Sequence, residues 1–202
     1  MKTRWETLAA NHCTDAALID TYWQEIERQY TQTARHYHNL GHLDFMFQKF
    51  DGIQSQVADP DVFQFSIFYH DIIYNARRQD NELKSAELAQ ERISVLGLSA
   101  DRVQQCYEQI LATKAHQTSS DTDTNFLLDI DLAILGADLP SYQQYAQQIR
   151  AEYAMYPNFL YRKGRRKVLQ HFLAMPQIYK TGYFQERLER QARENLEWEL
   201  SA

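Results

Sequence analysis

Three of the seven histidines in this chain fall within one heptapeptide, "HYHNLGH" at positions 36 to 42, and a fourth is followed at once by aspartate in "FYHDIIY", at His70-Asp71. Imidazole and carboxylate are the donors that hold a divalent ion with open positions, and Cys13 and Cys106 lack the CxxC spacing of a thiolate site. Any metal site here must use histidine and carboxylate. A His-Asp pair alone is a weak motif, since roughly half of one is expected by chance at these residue counts. Its setting strengthens it: Asp71 lies among Phe65, Ile67, Phe68, Ile72 and Ile73, where an unpaired carboxylate is costly to bury. The competing reading is a core His-Asp pair satisfied by hydrogen bonds. His38 and His42 stand four apart and share a face if the chain is helical there. Otherwise they flank a helix-starting turn in which Asn39 caps and Gly41 permits the bend. In "FLLDIDLAILG", Asp129 and Asp131 interrupt an apolar helix and point in different directions, so at most one shares a cavity with the histidines.

The elements that must position these residues read as helices. Leu18, Tyr22, Trp23, Ile26 and Tyr30 recur at helical spacing behind Thr14 and Asp15, and Leu43, Met46, Phe47 and Phe50 form a second stripe. Pro60 opens "PDVFQFSIFYHDIIY", apolar nearly all round and expected to be a buried central helix with His70 and Asp71 deep within it. "DNELKSAELAQERISVLG" follows, with Gly97 where a C-terminal cap belongs. Further helices are expected at about 99–113, 125–135, 140–153, 159–174 and 183–200. With no sustained period-two alternation, the fold class is all-α, and with no linker or repeat the whole chain, 1–202, is expected to be one domain. The polar run "KAHQTSSDTDTN" is the expected loop.

Composition narrows the partners. A formal charge of -6 disfavours general affinity for nucleic acid or anionic membrane, and the absence of a secretory core or a long apolar run points to a cytoplasmic chain. Against that acidic background "RKGRRK" at 162–167 holds five basic residues in six; a solvated helix face is the usual explanation, and Arg165 is a candidate phosphate contact. His116, which opens the polar loop beside Lys114, is either a helix-end residue or a second polar contact to substrate.

The order His, His-Asp, Asp on separate helices resembles the HD superfamily of metal-dependent phosphohydrolases, and "YHNLGH" is similar to the YHNxxH motif of cyclic-nucleotide phosphodiesterases. More of the chain, through "RHYHNLGH", "HDIIYNARRQDNELKSAELA", "LATKAH", "DIDLAILG", "IRAEY" and "YRKGRRKVLQHFL", looks like a bacterial family of predicted HD phosphohydrolases. The resemblance implies an HD-domain-like helical bundle in which His42, His70, Asp71 and Asp131 hold the metal, with Asp129 the reserve for Asp131. His38 would then be the general acid, Asp71 a catalytic residue as well as a ligand, and Lys114, His116 and Arg165 substrate contacts. It further implies hydrolysis of a phosphate ester, in a nucleotide or another small phosphorylated metabolite, by metal-activated water. This chain departs from the phosphodiesterases in carrying Tyr74 where they place a further histidine, and His116 or Glu82 would have to substitute. The donor types suit Mn, Fe, Co, Ni or Mg rather than structural zinc. A di-iron oxygenase of the same type, or a ligand-binding module without turnover, is the alternative.

Overall fold

The computed structural model describes residues 1–201, and among these it is all-α, with ten helices and no strand. In chain order they are α1 (Lys2–Ala10), α2 (Ala16–Tyr30), α3 (Leu40–Asp51), α4 (Pro60–Tyr69), α5 (Asn81–Val95), α6 (Ala100–Ala112), α7 (Thr122–Asp131), α8 (Leu139–Glu152), α9 (Asn158–Ala174) and α10 (Gly182–Ser201). No helix is long and apolar enough to cross a membrane. The chain packs as two compact units, residues 1–127 and 128–202. Their division falls inside α7, a continuous helix with neither glycine nor proline, which is why the sequence carries no linker signal there.

In the first unit α4 is the core element. Asp59 caps it by accepting from the Val62 N–H, Pro60 occupies the first turn, and Val62, Phe63, Phe65, Ser66, Ile67, Phe68 and Tyr69 are all buried. Each buried aromatic contributes about 1.5–3 kcal/mol through area removed from water. Trp5 of α1 meets Phe65, Phe68 and Tyr69 edge-on at ring separations of 5.3–6.0 Å, and Phe47 of α3 lies 4.8 Å from Phe68. One polar cluster lies within this core: Ser66 Oγ lies 2.7 Å from Gln109 Oε1 and 3.3 Å from Cys106 Sγ, while the buried Gln109 Nε2 has no hydrogen-bond partner among the described residues. Burial pushes the Cys106 thiol up to about 12, so it stays protonated and inert. Gly97 closes α5 with φ of 100°, as a helix C-terminal cap requires.

The second unit packs α8 and α10 around the 3₁₀ turn Leu132–Gly136, with α9 against α10. A Cβ at Gly136 would sit 2.6 Å from Leu188 Cβ and 2.9 Å from Tyr179 Oη, so only glycine lets α10 approach this closely. Buried Asn195 of α10 donates to the carbonyls of Leu135 and Ala137, each at 2.8 Å, which stitches the turn to the helix.

One expectation is corrected by this architecture, and one alternative is decided in favour of the helix-starting turn capped by Asn39. α4 stops at Tyr69: His70 is its C-cap and Asp71 lies in the turn beyond, with a side chain 16% exposed rather than deep in a helix. α3 begins at Leu40, with Asn39 as an extended N-cap that accepts from the Gly41 N–H at 2.8 Å, so His38 precedes the helix and does not share a helical face with His42.

Candidate functional site

His42 enters in the first turn of α3 and is buried, 3% exposed. Its position depends on the Asn39 cap, whose amide also donates to His36 O at 2.9 Å and so ties the preceding turn to the helix start. His70 is 1% exposed, and its Nδ1 lies 2.9 Å from the Ile67 carbonyl of the same helix. A carbonyl only accepts, so Nδ1 carries the proton and Nε2 is the nitrogen that carries the ring's lone pair. That Nε2 lies 3.2 Å from Nε2 of His42 and 3.3 Å from Asp71 Oδ2.

Ligand atoms of His42, His70 and Asp131, the last residue of α7, all lie within 4.8 Å of one another. The two histidines are buried and Asp131 half-buried. Two imidazoles presenting nitrogens to one point, with carboxylates beside them and no sulfur, fit a divalent ion of the Mg-to-Ni class. A fourth expected ligand, Asp71, is within reach of His70 but is not a member of that trio. It also faces His38, with Oδ2 3.9 Å from His38 Nε2, and the His38 ring stacks on Tyr74 at 4.3 Å.

Asp129 has a different occupation. It is fully buried and accepts from the backbone N–H of Lys180 at 2.6 Å, the N–H of Thr181 at 2.8 Å and the Thr181 hydroxyl at 2.6 Å, which holds the chain entering α10. Burial pushes its carboxyl up to about 6, against the opposing pull of the Thr181 hydroxyl and the two N–H donors.

Lys114 is exposed and donates to Gln79 O at 2.9 Å, and His116 adopts the left-handed region with φ of 48°. Arg165 does not present a free fork: Nε and Nη2 both donate to Glu199, at 2.8 and 2.9 Å.

The residue that sequence reasoning passed over is Arg35. It is 6% exposed and, among the described residues, bonds to no carboxylate; its Nη1 donates to His38 O at 3.1 Å and Asp71 O at 2.6 Å, and Nη2 to Ile72 O at 2.7 Å. The guanidinium lies 4.8 Å over the Tyr30 ring, whose hydroxyl in turn accepts from the Asp71 N–H at 3.3 Å. One buried cation thus joins the His38 turn to the His-Asp turn. Asn81 and Ser85 of α5 hold the segment that follows: Asn81 exchanges two bonds with the Asn75 backbone, and Ser85 Oγ accepts from the Ile73 N–H. No protein-family profile matches the chain, and searches of curated proteins and of solved structures returned no match either.

Proposed function

We propose that the chain is an HD-type metal-dependent phosphohydrolase that cleaves a phosphate ester in a nucleotide or another small phosphorylated metabolite. The observation that carries this reading is the convergence of His42, His70 and Asp131 ligand atoms within 4.8 Å. His70 would bind the ion through Nε2, because Nδ1–H is engaged by Ile67 O; His42 would bind alongside it and Asp131 through a carboxylate oxygen. When bound, a divalent ion supplies Lewis acidity, which brings the pKa of a coordinated water toward neutrality and polarises a phosphoryl oxygen. His38, half-buried and 3.9 Å from Asp71, is the group that would give its Nε2 proton to the departing oxygen. Tyr74 fixes the ring plane by stacking at 4.3 Å.

The test is elemental analysis of purified protein together with hydrolysis of nitrophenyl phosphate mono- and diesters. Wild type should hold a divalent ion and hydrolyse at least one ester, while His42→Ala, His70→Ala and Asp131→Asn lose metal and rate together. Asp129→Asn should keep the metal. Full metal content in either histidine variant, or iron without hydrolysis of any phosphate ester, would overturn the reading.

A further inference from the structure

The second unit contains a cavity of about 1060 Å³ between α8, α9 and α10, and four arginines line it: Arg150, Arg162, Arg165 and Arg166. One carboxylate, Glu199, is among the lining side chains. It is fully engaged, since it takes both donors of Arg165 and the hydroxyl of Tyr142. The Arg165–Glu199 pair therefore forms a neutral, braced floor. Among the described residues Arg150 is held by neutral acceptors, the carbonyls of Tyr153 and Tyr156 and Asn158 Oδ1, so its charge is positioned without being cancelled by them. Arg162 and Arg166 have no ionic or hydrogen-bonding partner among the described residues, although most arginines of the chain are paired. They stand four apart on α9, so both guanidinium groups project over the same wall, a like-charge placement that costs a few tenths of a kcal/mol in a helix.

We infer that this cavity binds a small molecule bearing two or more phosphate groups, with Arg162 and Arg166 supplying the recognising forks and Arg150 the field behind them. Guanidinium matches phosphate oxygens bidentately, and successive phosphates match two guanidinium groups one helical turn apart. The volume suits a metabolite rather than a polymer, and the chain's net charge of -6 selects against general polyanion affinity elsewhere. The inference stands apart from the metal reading, because none of the lining residues is a proposed ligand.

Inorganic tripolyphosphate is the probe, titrated calorimetrically into full-length protein stripped of metal on a chelating resin, at about 150 mM salt to suppress diffuse attraction. Binding tighter than about 1 mM is expected, weakened about tenfold or more in Arg162→Ala/Arg166→Ala. Lys163→Ala/Lys167→Ala removes the same charge from side chains of α9 that do not line the cavity, and should weaken binding by less than about threefold. Equal losses in the two double variants would reduce the effect to helix charge and overturn the proposal, as would the absence of heat in wild type. Because hydrolysis and metal content are not read, this result is independent of the phosphohydrolase test.

Discussion

Replacing Arg35 tests how the candidate centre is held together. Arg35→Ala deletes three charge-assisted bonds to main-chain carbonyls, His38 O, Asp71 O and Ile72 O, and empties the position over the Tyr30 ring. Hydrogen bonds from charged donors contribute about 1.5–3 kcal/mol each, but removing a buried cation also relieves its desolvation, so a net loss of about 3–5 kcal/mol is expected. Against a typical total of about 5–15 kcal/mol that is severe. In urea, with a slope of about 2–3 kcal/mol/M, the unfolding midpoint should fall by about 1–2 M. Arg35→Lys keeps the charge but cannot fork across two segments, so it should fall between wild type and alanine. Metal affinity should drop in step in both variants, because the same carbonyls set the backbone beside His38 and Asp71. A loss under about 1 kcal/mol, or lysine performing as well as arginine, would refute the claim that this side chain joins the two turns.

Other outcomes follow from the same geometry. Asp59 is tied to Arg102 through two bonds of 2.7 Å, and although burial alone would raise its carboxyl, Arg102 and the Val62 N–H hold it below the ordinary value. A carboxyl lowered on folding stabilises above its unfolded pKa and stops doing so as pH falls through the folded one, so the stability gap between wild type and Asp59→Asn should be full at pH 7 and close below about pH 4. A gap independent of pH in denaturant titrations would count against it. Gly136→Ala forces a methyl into Leu188 and should cost at least about 1–3 kcal/mol, read as a lowered denaturation midpoint. His38→Ala should retain metal but lose rate by about 100-fold or more, with a smaller loss on nitrophenyl esters, whose leaving group needs little protonation; equal losses on both substrate classes would deny His38 the acid role.

The helical class was legible because its evidence is local: apolar stripes at 3.6-residue spacing and caps such as Asp15, which accepts from the Ala17 and Leu18 N–H groups. α1 was not, because its apolar pattern is weak and Trp5 is buried by α4, from which it is distant in sequence, with its indole N–H donating to Ile19 O. The end of α4 was overrun for a similar reason. "FYHDIIY" is apolar throughout, and what turns the chain after Tyr69 is the guanidinium of Arg35 together with Asn81 and Ser85, none of which leaves a mark on the local pattern. In the site, residue types were readable and roles were not. Asp129 and Asp131 are the same residue two positions apart, and only the chain returning at Lys180 and Thr181 distinguishes them.

α9 carries a consequence for the kinetics of the fold. Of its 17 residues Leu169 alone is buried, and its polar tethers include the Arg165–Glu199 pair, the bond from Arg150 to Asn158 and one from Arg193 of α10 to the Leu173 carbonyl. A helix of that length with so little tertiary support is marginal in water, so its free energy of opening should lie well below that of global unfolding. Its backbone amides should then exchange with deuterium orders of magnitude faster than those of buried α4. Any ligand that bridges Arg162 and Arg166 adds its own binding free energy to the cost of that opening, and the exchange rate of this one helix becomes a gauge of its occupancy.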